Sequence, residues 1–483
     1  MLSFKKAFFL SVCLVYSLNA FSYKVSGSFG NFSKIGFNNK PLNTKTGYYP
    51  TETFSAVTGF LNAKADLLPK HISDHSFTAK LGFMGGGVAY DGTKNIINQA
   101  NNQPFGSMMW MYYGAWHGYY GASGWGTNNA NGINNVGNGG CVASGTIPCA
   151  TWNNVGNQWM SANTHQFVVN EAYLEYGYKN IFRIKAGRYV GNAYFMDGYT
   201  QGFEATLNVK DFTFWWFSSY GMAWTYDEWI YDYFAPIVTT NKQGKKVNLG
   251  IHSGSITWHK KGLSINPFFY FSPNTYIAPG IQATYVYNIP LKNHRHLSIY
   301  TTAMGFFPYY NPALSHNIFY SSYAGTNAQM FLFKQRFTIN KFYVGYGIYK
   351  TWGNANAYTP YTDPELIGFN FWTNTVYDWL SAANMNANAF TLHAKVGGHV
   401  RKLSWEVLGR ITTSPRANEQ AINLDLSYNF SHWVSASLTL EYYRAHLHNG
   451  YEVGQSFSSV YNPVFKASVQ DRSFLMTNLH FKF

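Results

Sequence analysis

Charge is scarce in this chain. Only 12% of its 483 residues are Asp, Glu, Lys or Arg, about half the ~25% usual in soluble domains. Cysteine is scarcer, three in all, and none forms a CxxC pair with the close spacing of a zinc site. Long apolar runs are missing as well. Beyond the amino terminus no stretch of ~18 uncharged apolar residues occurs, which excludes a transmembrane helix in the mature chain. A glycine-rich phosphate loop, HExxH and GxSxG are also absent. The formal charge is +14, yet the basic residues are scattered, with no nucleic-acid-binding module around them. The expectations that follow are no nucleic acid, no cofactor, no metal and no enzymatic dyad.

The chain is instead 46% apolar and 19% aromatic, with 44 glycines. Low charge, many aromatics and no long apolar run suit strands that alternate between lipid and water. The carboxyl end shows that alternation. Leu475, Thr477, Leu479, Phe481 and Phe483 share one face, and Met476, Asn478, His480 and Lys482 the other. Four further strands are as clear, near 390–401, 403–412, 422–430 and 434–442. Thirteen more are expected near 23–32, 55–66, 76–90, 164–178, 181–190, 201–209, 212–221, 247–260, 262–271, 280–289, 296–306, 329–339 and 342–350.

The count is even, and the connections alternate in length. Links such as Lys179-Asn180, Lys210-Asp211, Lys260-Lys261, Asn340-Lys341, Lys402 and Ser431-His432 are tight. Those at 33–54, 91–163, 222–246, 307–328, 351–388 and 444–472 are long, with shorter ones near 191–200, 272–279 and 413–420, and 67–75 is a longer member of the short set. Short periplasmic turns and long external loops are the habit of outer-membrane barrels. The fold class expected is therefore all-β: a transmembrane antiparallel β-barrel of about 18 strands, closed so that no edge amide faces hydrocarbon. Trp405, Tyr428, Phe430, Trp433, Tyr442 and Phe483 fall near strand ends, as interfacial girdles do.

Lys5 and Lys6 precede an apolar run from Ala7 to Leu18, and Ala20-Phe21-Ser22 offers small residues for cleavage. Residues 1–22 read as a secretory signal peptide and 23–483 as one barrel domain in the outer membrane. Export leaves Cys141 and Cys149, eight apart in a Gly-rich loop, and one disulfide is expected between them. Segment 91–163 is dense in Asn, Gly and aromatic residues. Three readings stay open for it: a loop folded into the barrel, an external ligand-binding loop, or a surface loop packed on itself.

If the apolar faces look outward, the lumen holds Lys80, Arg183, Lys185, Lys334, Arg336, His393, Lys395 and Arg410. It also holds His399 and Arg401, and the acids Glu171, Glu175, Glu204, Glu406, Asp425 and Glu441. Arg188 falls on the apolar side of its strand, so joining this lining takes a bulge or a place at the mouth. Charged rings set ion preference, and the basic excess points to a weak preference for anions. His446-x-His448 and His294-x-His296 each make half a metal site at best.

Asn170-Glu171-Ala172-Tyr173-Leu174-Glu175-Tyr176, then Ala186-Gly187-Arg188-Tyr189, is text similar to that of Gram-negative porins. With the loop pattern and the terminal Phe483, the whole chain resembles the Hof family of Helicobacter outer-membrane proteins. The resemblance implies a porin-like barrel, with adhesion as a second role. The terminal strand also resembles the signal read by the barrel-assembly machinery. The expected partners are that machinery, outer-membrane lipid and lipopolysaccharide, and small hydrophilic solutes. Oligomeric state stays open, since porin-like barrels occur as trimers and as monomers. Passive diffusion of small solutes is the leading function. An adhesin that uses the barrel as an anchor is the alternative.

Overall fold

The computed structural model describes residues 22–483 except 107–166, 311–327, 354–387 and 452–463. Short gaps fall at 44, 49, 52, 69–73, 93–95, 195, 228, 235–237, 241–242, 275, 293–294 and 416. Eighteen strands form one closed antiparallel barrel. In chain order they are β1 Ser22–Gly36, β2 Phe54–Asp66, β3 His75–Asp91, β4 Phe167–Tyr178, β5 Phe182–Ala193 and β6 Met196–Val209. The second third is β7 Phe212–Tyr226, β8 Ile251–Lys260, β9 Leu263–Ser272, β10 Tyr276–Leu291, β11 Arg295–Phe306 and β12 Ala328–Ile339. The last is β13 Phe342–Gly353, β14 Phe390–Val400, β15 Leu403–Thr413, β16 Ala417–Asn429, β17 Val434–Leu447 and β18 Phe474–Lys482.

Each strand pairs with its chain neighbours, and the seam closes where β1 meets β18, from Ser28↔Lys482 to Gly36↔Phe474. Two backbone hydrogen bonds join Gly27 and Phe483 beyond that ladder, at 2.9 and 3.0 Å. Closure satisfies the amides that an open edge would leave bare in lipid. The terminal ring supports it. A Cβ on Gly27 would lie 2.3 Å from Phe483 Cζ, so only glycine leaves room for the aromatic to lie across the first strand.

Side chains alternate as the sequence requires. On β14, Phe390, Leu392, Val396 and Val400 face the outside, while Thr391, His393 and Lys395 face in. Tyr428, Phe430, Trp433 and Phe483 are exposed at the short-turn rim, where interfacial aromatics belong.

All eighteen expected strands are present; one end carries short turns and the other most of the long links, apart from two- or three-residue links after β5, β9 and β15. The tight turns differ in detail. The third is Lys261-Gly262 rather than Lys260-Lys261, because both residues adopt positive φ (46° and 83°) and Gly262 takes the second of those positions without a Cβ. The turn at Lys402 includes Arg401, with φ 53°. Several strands run further at the long-loop end than alternation indicates: β7 reaches Tyr226 and β17 reaches Leu447. Residues 1–21, Cys141, Cys149 and nearly all of segment 91–163 lie outside the described residues. Of that segment, Ile96–Asn98 pairs with Gln103–Gly106 as a small hairpin.

Candidate functional site

The lumen has a basic wall. Lys334 on β12 is in register with Gly347 on β13, which faces His393 on β14, which faces Arg410 on β15. Two residues closer to the periplasmic rim, Arg336, Gly345 and Lys395 form a second row. Lys334 and Arg336 on β12 thus stand at the same two heights as His393 and Lys395 on β14, with glycine at both β13 positions between them. The glycines make the space. A Cβ on Gly347 would lie 2.4 Å from the Phe333 carbonyl oxygen and 2.5 Å from His393 Nε2.

The members of this wall are held differently. Lys395 Nζ meets Glu406 at 2.8 Å, and the Tyr343 hydroxyl donates to the same carboxylate at 2.5 Å. Arg336 lies over the rings of Tyr300 at 4.6 Å and Tyr343 at 5.8 Å and is exposed to the lumen. Stacking fixes the guanidinium plane and leaves its N–H edge facing water. Arg410 is different. It meets Glu419 at 3.1 Å with both side chains fully buried, so it belongs to the wall's interior rather than to its wetted surface.

The other sequence-derived residues lie on β3, β4 and β5. Lys80 meets Glu171 at 2.5 Å. Glu175 is shared by Lys185 at 3.5 Å and Arg183 at 3.9 Å. Lys185 also sits over Tyr173 and Tyr189. Each of these cations lies within 4 Å of a carboxylate, as Lys395 does on the other wall, whereas Arg336 is held there by tyrosine rings.

A crossing segment lies against the second wall and the seam. After β7 the chain turns at Asp227, and Trp229–Phe234 folds back antiparallel on β7, pairing Trp229 with Tyr226. Asp227 reaches the seam. Its carboxylate accepts from Thr58 Oγ1 on β2 at 3.0 Å and from Asn478 Nδ2 on β18 at 2.8 Å, and pairs with His480 Nε2 at 3.0 Å. Burial pushes its pKa up, but the hydrogen bonds from His480 and Asn478, the His480 charge and Thr58 outweigh that. The net result is a carboxyl held below its usual range. Further along, the Tyr233 hydroxyl donates to the Asn170 carbonyl on β4 at 2.7 Å. Burial raises its pKa well above that of an ordinary phenol, so it stays a donor.

Arg188 joins this segment. Its place on the apolar side of β5 is reconciled with the lumen by Gly187, whose φ of +125° lets the strand turn locally. A Cβ there would lie 2.2 Å from the Ala172 carbonyl oxygen. The Arg188 guanidinium covers the Tyr233 ring at 4.2 Å, donates to Gln201 at 3.1 Å and to the Val169 carbonyl at 3.2 Å, and lies 3.9 Å from Asp232. The crossing segment is therefore anchored on β2, β4, β5, β7 and β18. The basic wall stands on the far side of the ring, so the path left among the described residues runs between them.

Asp227 was not foreseen as a functional residue. The signal was there: Tyr226 to Phe234 mixes acids with aromatics inside a long external link, the composition of a wet strand rather than a free loop. Among the described residues no group of three or more His, Cys, Asp or Glu could hold a metal.

A family model described as "Putative outer membrane protein" matches residues 7–483. Solved structures of the same fold include Acinetobacter baumannii OccAB2, with a TM-score of 0.57, 11% identity and coverage of 96% of this chain and 98% of that one. Pseudomonas aeruginosa OpdK, solved with vanillate, has a TM-score of 0.57 at 8% identity, covering 96% and 98%. Pseudomonas aeruginosa OccD3 (OpdP) has a TM-score of 0.57 at 10% identity, covering 96% and 91%. Identities this low carry the fold alone. No curated protein matches the chain.

Proposed function

The chain belongs to this family of outer-membrane proteins, and on that premise we propose that it is a porin-like channel for small hydrophilic solutes with a lean toward anions. An eighteen-stranded barrel is wide enough to leave an aqueous path. Its selectivity is set by the two sides of that path. One is the crossing segment with Asp227 and Asp232. The other is the wall of Lys334, Arg336 and Lys395, with His393 buried among them. The exposed, ring-stacked Arg336 is the observation that carries the reading. A guanidinium edge held in place and turned to water suits a carboxylate or phosphate oxygen pair. OpdK, a barrel of the same fold, was solved with the aromatic carboxylate vanillate, and a small organic anion is the solute class that this wall fits.

Planar-bilayer recording under a salt gradient tests the reading. Wild type should give conductance steps and a reversal potential on the anion side, and Arg336→Gln should move it toward zero. Cation selectivity in wild type would overturn the anion lean. A purified, folded barrel without conductance that binds host glycans would replace the channel by the adhesin.

A further inference from the structure

Six successive short connections, from the one after β4 to the one after β14, each carry a lysine: Lys179, Lys210, Lys261, Lys292, Lys341 and Lys402. All six are exposed. They serve twelve of the eighteen strands, so they span two-thirds of the perimeter at the periplasmic end. The described acids in the short turns are Asp74 and Asp211. Asp74 takes Lys179 at 3.2 Å. Lys402 donates one proton to the Phe430 carbonyl at 2.7 Å, which leaves two for other acceptors.

Turn geometry argues against lysine at several of these places. Lys179, Lys210 and Lys261 have φ of 49°, 53° and 46°, a region that a Cβ disfavours and that Gly, Asn or Asp usually occupies in hairpins. Charge is kept there at a conformational cost. Depth supplies a third observation. Outward-facing Ile181, Val209, Phe212, Leu291, Ile339, Phe342 and Phe430 are exposed beside these turns and mark the edge of the hydrocarbon. A lysine one turn below extends its stem along that surface and places its ammonium among headgroups.

We propose that these lysines form a belt that binds the phosphates of anionic phospholipids in the periplasmic leaflet. A protein partner would meet one sector of the barrel; a leaflet meets the whole circumference, and the belt covers two-thirds of it. The attraction is that of cationic side chains at an anionic membrane surface, and salt weakens it.

The test is lipid selectivity of the full barrel in phosphatidylcholine vesicles, read from the motionally restricted fraction of spin-labelled phosphatidylglycerol against spin-labelled phosphatidylcholine. Wild type should favour phosphatidylglycerol about fivefold at the belt contacts. Replacing all six lysines with glutamine should bring that ratio close to one, and replacing them with arginine should keep it. If the sixfold variant does not fold, Lys179→Gln with Lys210→Gln and Lys261→Gln, and the complementary triple, should each remove about half of the preference. No preference in wild type, or full preference in the glutamine variants, overturns the proposal. Binding of soluble anionic cell-wall fragments without lipid preference overturns it too, in favour of a polymer partner. Conductance is not the readout, so the outcome is independent of the channel reading.

Discussion

Asp227→Ala removes a single acceptor that ties the crossing segment to the seam. Three donors converge on that carboxylate, from Thr58, Asn478 and His480. A hydrogen bond to a charged group contributes about 1.5–3 kcal/mol, but three bonds to one group are not additive, and lumen water replaces part of what is lost. A working value for the tether is therefore about 3 kcal/mol, the upper figure for one such bond. At about 1.4 kcal/mol per decade, that is roughly a hundredfold change in the ratio of docked to released segment. Tyr233 and Arg188 still hold the other end, so release is partial. Asp227→Ala should raise the mean single-channel conductance and add flicker. Adding Tyr233→Phe should raise it further.

The pH dependence follows from the lowered Asp227 pKa. A carboxyl with a depressed folded-state pKa contributes stability above its ordinary value, ~3.9, and loses it as pH falls through the depressed one. Conductance should therefore stay flat from neutral pH to about 4 and rise only below that. Asp227→Asn should abolish the acid step. Wild-type conductance and noise in both Asp227→Ala and the double variant would refute the reasoning, since the segment would then neither limit current nor depend on this tether.

Glu419→Ala strands the fully buried Arg410 without its partner. It should cost about 3–5 kcal/mol, seen as a lower urea midpoint for loss of the compact, heat-modifiable form. Gly27→Leu drives a side chain into the Phe483 ring and should cut the folded fraction after refolding into detergent, as should deletion of Phe483. Gly347→Leu puts atoms where His393 and the Phe333 carbonyl lie. It should lower the folded yield, measured by gel mobility, and shift the reversal potential of the barrels that do fold.

The barrel was legible because lipid enforces it. Each residue of β14–β18 that crosses hydrocarbon must be apolar outside and tolerant of water inside, so the period of two survives along the whole crossing. It fades above the membrane. Asn418, Gln420, Arg444 and His446 face outward near the external ends of β16 and β17, above the hydrocarbon, where the outer face no longer has to be apolar. That is why β7 and β17 run past the limits that alternation indicates. The interior of the lumen was legible only by parity. Parity places Arg410 with Lys395 on the inner face, but it does not see that Glu419, on the next strand, takes Arg410 out of the water.

Register, in contrast, is a long-range property that no single strand displays. Lys334 and His393 are separated by fifty-nine positions, yet they share one row because β13 contributes Gly347 between them. Gly345 and Gly347 of β13 look unremarkable in a chain with 44 glycines. In the barrel they occupy the only row positions between two basic strands, where a side chain would screen one from the other. Their absence of side chain is what turns separate basic residues into a continuous wall. The same holds across the lumen. The bond from Asn478 to Asp227 joins residues 251 apart, and what brings them together is closure of the ring, since only a sealed barrel puts the last strand beside the first and within reach of a segment leaving the seventh.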